Sequence, residues 1–258
     1  MSKQIIDFKV VENNRLSDSY SLLKLTPMVG ELPEIYPGQF VQVQVKNSAN
    51  TYLRRPISVH FADYAANQLW LLVRRAGEGT EGIIKSEVGS TLNIILPLGG
   101  MFDTPIETDA RLLLVGGGVG VAPMLYFGAY LVENGYKPEF LLAAKSESDL
   151  LQLDEFKKYG TVHISTDDGS VGEKGLVTQN SVLQSEGLDF IYCCGPMPMM
   201  KAVAAIAKER EIECEVSLEN LMACGVGACL CCVEDTVDSG HVCVCTEGPV
   251  FNIKRLKW

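Results

Sequence analysis

The sequence predicts a multidomain protein of mixed β and α/β class. It should comprise an N-terminal antiparallel β-barrel over residues 1–103, a parallel α/β domain over 104–213, and a small cysteine-rich C-terminal subdomain over 214–258. Three observations carry this. Before residue 103 the apolar segments are short and bounded by turn residues. After it, strand, glycine turn and helix follow one another twice. Six of the nine cysteines lie beyond position 223.

In the first part, "FVQVQV" (Phe40 to Val45) alternates apolar and polar residues, the period of a half-buried strand. "LWLLVRR" and "TLNIILPL" are further strand-sized runs, and closely spaced short strands close most economically into a small antiparallel barrel. Near Asp103-Thr104-Pro105 the pattern changes. "RLLLVGGGVGVAPMLYFGAYLVENG" reads as a buried strand, a glycine turn and a helix ending at Gly135. "EFLLAAK" and "TVHISTDDGS" are two more strands, and "DFIYCCGPMPMMKAVAAIAKERE" repeats strand, turn and helix. Strands alternating with helices predict a parallel sheet. The segment from Cys214 is too short to bury a core of its own and needs a staple.

Composition narrows the function classes. The 258 residues carry 22 Lys and Arg against 32 Asp and Glu, a net charge of −10. That balance argues against a nucleic-acid partner, because phosphate backbones attract clustered cations. No apolar run is long enough to cross a bilayer, so no membrane partner is expected. "MSKQIIDFKV" lacks the apolar stretch of a secretory signal, and the expected location is the cytoplasm.

"VGGGVGVAP" (Val115 to Pro123) sits between a strand and a helix. Glycine lets the backbone approach a pyrophosphate, and the helix start offers unpaired N–H groups. Gly116, Gly118 and Gly120 are therefore the candidate residues admitting a nicotinamide dinucleotide, and Pro123 suits the first helical turn. Cys194 and Gly195, in "CCGPMPMM", fall at the carboxyl end of a parallel strand, the edge where open α/β sheets bind ligands. "TDDGSVGEKG" ends a strand at the same edge. No arginine cluster follows Lys145 to receive a 2′-phosphate, which favours NAD over NADP.

In the barrel, "LRRPISV" (Leu53 to Val59) places arginines beside Pro56, Ile57 and Ser58. A guanidinium pairs bidentately with phosphate. Leu72, Val73 and Arg74 lead into a Gly-x-Gly-Thr turn at which Gly79 and Thr80 offer further phosphate contacts. Together they describe a barrel that holds one dinucleotide while the following domain holds another. Arg55, Pro56, Ile57 and Ser58, the GGGxGxxP turn and the Cys-Gly-Pro turn resemble the ferredoxin–NADP reductase superfamily. The resemblance implies FAD in the barrel and the nicotinamide in the α/β domain. It implies Arg55 as the anchor of the FAD phosphate and Ser58 as a contact near the reactive ring nitrogen. That superfamily often has Tyr where this chain has Ile57, so no aromatic contact to the flavin is carried over.

Cys224, Cys229 and Cys232 form C-x4-C-x2-C, the spacing of plant-type [2Fe–2S] sites, which also take a distant fourth cysteine. "HVCVCTEGPVF" offers Cys243 or Cys245. Gly225 and Gly227 suit a backbone wrapped closely around sulfide. Zinc prefers paired C-x2-C knuckles, and Cys243 with Cys245 is too tight to form the second, although His241 is a possible substitute. Disulfides are disfavoured in a reducing cytoplasm. The iron–sulfur reading is the stronger one.

The order of these segments, with RPIS, GxGT, GGGVGVAP, TDDGS, CGPMP and MACGVGAC in place, closely resembles the electron-transfer subunits of bacterial NAD-dependent dihydroorotate dehydrogenase B. The resemblance spans nearly the whole chain. It implies Cys245 as the fourth ligand, because the ligand precedes an acidic-Gly-Pro-Val-Phe run, and leaves Cys231 and Cys243 as non-ligand thiols. It implies an FMN-containing partner that oxidises dihydroorotate, assembled as a heterotetramer with two of each subunit. Electrons would then pass through the cluster and FAD to NAD+. No catalytic residue of this chain is expected, and no Ser-His-Asp or acid–base dyad is evident; the chemistry rests on cofactors. A subunit of another ferredoxin- or sulfur-linked flavin oxidoreductase would share all these cofactors. A zinc-holding redox regulator is the reading from a different class.

Overall fold

The computed structural model describes residues 2–46 and 50–258. The chain divides into two compact units. One comprises Met1–Met101, Asn220–Glu234 and His241–Pro249; the other comprises Phe102–Glu219, Asp235–Gly240 and Val250–Trp258.

The first unit is built on seven strands, β1 (Gln4–Arg15), β2 (Tyr20–Pro27), β3 (Phe40–Val43), β4 (Arg55–Ser58), β5 (Phe61–Asp63), β6 (Gln68–Arg74) and β7 (Thr91–Leu98), and helix α1 (Glu78–Ile84). They form one antiparallel sheet in the order β4-β3-β7-β1-β2-β6-β5. Its two edge strands are consecutive in sequence, separated only by Val59 and His60. The Val59 N–H bonds Gln39 O on the β3 side, and the His60 N–H bonds Trp70 O on the β6 side. The sheet therefore curls so that its two edges share the Val59–His60 corner, without a β4–β5 ladder among the described residues, and the expected barrel takes this half-closed form. Phe8, Leu23, Val41, Leu69, Leu71 and Ile94 fill its interior.

The alternation expected of "FVQVQV" breaks at one position. All four residues of β3 are buried, Gln42 included, whereas Gln44 is exposed. Its register neighbour on β4 is Pro56 and on β7 is Ile95, so Gln42 shares a face with them. That face is covered at Gln42 by the cysteine-rich stretch around Gly225.

The second unit follows the βα alternation of the sequence. Its elements are β8 (Leu112–Gly117), α2 (Ala122–Glu133), β9 (Glu139–Ala144), α3 (Leu153–Phe156), β10 (Thr161–Thr166), β11 (Glu173–Lys174), α4 (Ser181–Gln184), β12 (Phe190–Cys194), α5 (Met197–Glu209) and β13 (Glu213–Ser217). β14 (Val233–Thr236), β15 (Gly240–Cys243), α6 (Val244–Glu247) and β16 (Val250–Asn252) complete the chain. The sheet runs β11-β10-β9-β8-β12-β13-β16, parallel throughout except for β16. Leu112 to Val115 are fully buried, as a strand covered on both faces requires. From β8 the connections lead outward to β9 on one side, and later to β12 on the other. The strand order thus reverses between β8 and β12, the crevice where open α/β sheets bind ligands.

Phe102, Phe127 and Tyr192 form an aromatic core, with centroid separations of 4.7 to 5.7 Å. Tyr192 donates its hydroxyl to Asp103 O at 2.9 Å, satisfying the polar end of a buried ring. Helix α2 lies close to β9 because Gly128 has no side chain: a Cβ there would stand 2.3 Å from Phe140 Cζ. The helix starts with Pro123 in its first turn and is followed by Gly135 at φ 88°. No helix among the described residues is long and apolar enough to cross a membrane.

Candidate cofactor sites

The glycine turn after β8 is a short 3-10 stretch, Gly118–Val121, which runs directly into α2. Gly118 has φ 57°, in the left-handed region that favours glycine. Gly116 and Gly120 are needed for a different reason. A Cβ on Gly116 would stand 2.9 Å from Val121 Cα, and one on Gly120 would stand 2.3 Å from Cys194 O. These two glycines let the turn fold onto itself and onto the end of β12. Met199 closes over the same place, its Sδ 2.4 Å from where a Cβ of Gly117 would lie. The turn therefore joins the ends of β8 and β12 at the strand-order reversal.

Cys194 ends β12 fully buried. Burial pushes its thiol well up, with the Glu219 carboxylate adding to the effect, so it is a neutral thiol at physiological pH. Its Sγ lies 3.9 Å from Glu219 Oε1. Glu219 is an exposed carboxylate at this strand edge that sequence reasoning missed. It lies two residues past β13, and no local pattern marks its contact with Cys194. The TDDGS turn follows β10, with Asp167 and Asp168 bonded through their N–H groups to Ala144 O and Lys145 O.

In the first unit the two arginines of LRRPIS have different surroundings. Arg54 is spent internally: its guanidinium donates to Gln42 O, Asn93 O and the Asn93 side chain. Among the described residues the Arg55 guanidinium donates to backbone carbonyls of its own loop, Leu53 O at 3.0 Å and Arg54 O at 3.3 Å. It lies across Gly79: a Cβ there would stand 2.3 Å from Arg55 Nε. The RPIS strand and the Gly-x-Gly-Thr turn are thereby brought together. Pro56 and Ser58 are half-buried beside it and Ile57 is buried. Thr80 Oγ1 accepts from the N–H groups of Ala76 and Gly77 and donates to Gly77 O, so its hydroxyl organises the turn. Leu72 and Val73 are core residues of β6, and Arg74 is exposed at the strand end.

All four cysteines expected as ligands lie in the first unit. Cys224 is half-buried and Cys229 exposed, while Cys232 and Cys245 are buried. The loop between the first two turns back twice, at Gly225 (φ 70°) and Gly227 (φ 86°), and Leu230 adds a third left-handed residue at φ 57°. These turns aim backbone N–H groups at sulfur. Val226 and Ala228 donate to Cys224 Sγ at 3.4 and 3.3 Å, Gly227 donates to Cys245 Sγ at 3.2 Å, and Cys245 donates to Cys232 Sγ at 3.4 Å. The Val226 N–H, with those of Cys229 and Ala228, lowers the Cys224 thiol to about 6. Burial pushes Cys245 up to about 12 in the absence of a bound cation. Among the described residues no group of three His, Cys, Asp or Glu side chains stands ready for a single metal ion. The donor set is instead four soft thiols within a nest of amide donors, which fits an anionic iron–sulfide group. Cys231 is exposed and Cys243 half-buried, and no disulfide joins any of the nine cysteines.

Known proteins resemble this chain in sequence and in fold. Residues 219–257 match the iron–sulfur cluster binding domain of dihydroorotate dehydrogenase B, and residues 114–205 match an oxidoreductase NAD-binding domain. The electron-transfer subunit of dihydroorotate dehydrogenase B (NAD+) from Shouchella clausii is 41% identical over 92% of this chain and 91% of its own. The corresponding subunit from Listeria monocytogenes is 39% identical over 97% and 98%. Among solved structures, the NADH-dependent reduced ferredoxin–NADP oxidoreductase superposes with a TM-score of 0.84 at 26% identity, over 97% of this chain and 90% of that one. The FAD/NAD-binding domain of the Vibrio cholerae nitric oxide dioxygenase shares the fold, with a TM-score of 0.71 at 21% identity over 82% and 98%. The half-closed antiparallel sheet, the parallel sheet and the cysteine-rich stretch are the parts of one known oxidoreductase architecture, whose cofactors are FAD, an iron–sulfur cluster and NAD. This chain belongs to the family of electron-transfer subunits of NAD-dependent dihydroorotate dehydrogenase B.

Proposed function

We propose that this chain is the electron outlet of a two-component complex that oxidises dihydroorotate, and that its catalytic partner carries FMN and assembles with it as two of each subunit. The observation that carries this reading is the identity of 35–41% over at least nine-tenths of the chain to subunits of that name.

Within the chain, Cys224, Cys229, Cys232 and Cys245 hold the [2Fe–2S] cluster. The N–H groups of Val226, Gly227, Ala228 and Cys245 keep its sulfurs compensated. Arg55 binds the pyrophosphate of FAD, freed for that task because Arg54 takes the internal acceptors. Pro56, Ile57 and Ser58 line the flavin, and Gly79 leaves room for the Arg55 guanidinium. Leu72 and Val73 support this wall from the core, with Arg74 and Thr80 at its edge. Gly116, Gly118 and Gly120 shape the turn that admits NAD, and Cys194 closes the floor of that crevice. The functional segments are 1–103 for FAD, 104–213 for NAD and 214–258 for the cluster. FAD, when bound, exchanges electrons singly and in pairs, and so couples a hydride carrier to a one-electron cluster. Nine free thiols suit a reducing compartment, and we place the work of this chain in the cytoplasm.

A ferredoxin-linked partner is the second reading, favoured by the likeness to the reduced ferredoxin–NADP oxidoreductase. Reconstitution separates the two. The lone chain should reduce an artificial dye with NADH and leave dihydroorotate untouched. With an FMN-containing dihydroorotate dehydrogenase subunit it should support dihydroorotate-dependent NAD+ reduction. Oxidation of dihydroorotate by the lone chain would overturn this division of labour.

A further inference from the structure

Among the described residues two buried side chains carry polar atoms without a partner, Trp70 at its Nε1 and Gln42 at both ends of its carboxamide, and Gln42 is the one that faces the cysteine-rich loop. It is 0% exposed, and among the described residues neither its Oε1 nor its Nε2 has a hydrogen-bond partner. A buried carboxamide is ordinarily satisfied on both ends, and one left unpaired on both marks a missing partner. Its backbone belongs to the sheet: the Gln42 carbonyl accepts from Arg54, and β3 is paired on both sides, to β4 and β7. The side chain itself faces the cysteine-rich loop. A Cβ on Gly225 would stand 2.7 Å from Gln42 Cγ and 2.8 Å from Gln42 Nε2. Gly225 follows Cys224 directly, and Cys224 Sγ already accepts two backbone N–H groups from that loop.

We propose that Gln42 is a positioning and tuning residue of the iron–sulfur centre, its Nε2 amide donating to a sulfur of the cluster bound beside Cys224. The inference rests on the cluster assignment above and adds a donor from the barrel to those of the loop. The chemistry matches the unpaired Nε2 of Gln42. Cluster sulfur is an electron-rich acceptor that needs no solvent, and a carboxamide N–H is a neutral donor that can be buried without the cost of a charge. Hydrogen bonds to cluster sulfurs strengthen as the centre gains negative charge. They therefore stabilise the reduced form and raise the reduction potential. β3 also pairs with the RPIS strand, so one strand connects the flavin wall to the cluster loop.

The test is a redox titration of the anaerobically purified complex, with the cluster followed by EPR and the flavin by absorbance. Gln42→Met keeps the volume and removes both N–H groups. With iron and sulfide at wild-type content, its cluster should become harder to reduce by about tenfold, which is about 59 mV for a one-electron couple. The flavin potential should not change. An unchanged cluster potential, or a shift confined to the flavin, overturns the proposal. Should the variant fail to retain its cluster, pulsed EPR of the reduced wild-type centre, labelled with 15N only in glutamine side chains, decides the matter. A 15N coupling is expected, and its absence refutes the role of Gln42. Wild-type protein lacking iron and sulfide would instead refute the cluster assignment itself.

Discussion

The guanidinium of Arg55 occupies the space that a side chain on residue 79 would need, with its Nε 2.3 Å from the position of the missing Cβ. The strand and the turn that sequence reasoning put forward separately as phosphate contacts are thus interlocked. Gly79→Ala should push Arg55 aside and weaken FAD retention by about tenfold, the factor that about 1.4 kcal/mol supplies. Arg55→Lys should act in the same direction, because an ammonium lacks the guanidinium fork. Flavin released on ultrafiltration measures both, and equal retention in Gly79→Ala and wild type would break the link between turn and phosphate.

The fourth cluster ligand is open to a direct comparison. Cys245 is buried and its sulfur accepts the Gly227 N–H, whereas Cys243 is half-buried. Cys245→Ser should lose the visible absorption and most of the iron, and Cys243→Ser should keep both. The opposite pattern would move the ligand to Cys243.

The turn between β8 and α2 packs on the end of β12. A Cβ at Gly120 would meet three backbone atoms, Cys194 O, Cys194 C and Gly195 N, at 2.3 to 2.5 Å, and backbone gives way less readily than a side-chain tip. Gly120→Ala should cost about 1–3 kcal/mol by overpacking. It should raise the KM for NADH while leaving the flavin and cluster spectra unchanged. A KM and melting temperature equal to wild type would show that the turn tolerates opening.

Glu215 supplies a pH-dependent prediction. It is 8% exposed on β13, and burial pushes its carboxyl up to about 7, against the N–H of Asp103 that donates to it at 3.0 Å. Because the folded value exceeds the ordinary 4.5, the folded form binds the proton more tightly than the unfolded chain. Stability is therefore lost as pH rises from about 4.5 to about 7, by roughly 3 kcal/mol for a shift of this size. Glu215→Gln, whose carbonyl can still accept the Asp103 N–H, should melt higher than wild type at pH 8 and much like it at pH 5. An equal difference at both pH values would mean that Glu215 does not titrate this way.

Much of this architecture was legible because it rests on local chemistry. Leu112 to Val115 followed by three glycines and a proline-led helix announces a βα unit, and C-x4-C-x2-C is a spacing imposed by a ligand. What escaped was decided by distant packing. Gln42 alternates as an outward residue should, and only the return of the chain at Gly225 buries it. Gly120 reads as space for a ligand, yet the space is filled by the end of β12. Glu219 meets Cys194 through the parallel pairing of β12 and β13, which no single stretch of sequence displays.

The account depends most on one chain passing electrons from a nicotinamide to an iron–sulfide centre. The low-temperature EPR spectrum of the anaerobically isolated chain, recorded after addition of NADH, measures that directly. It should show the signal of a reduced [2Fe–2S] cluster, accompanied by bleaching of the flavin. An EPR-silent sample containing neither iron nor sulfide would contradict the account at its root.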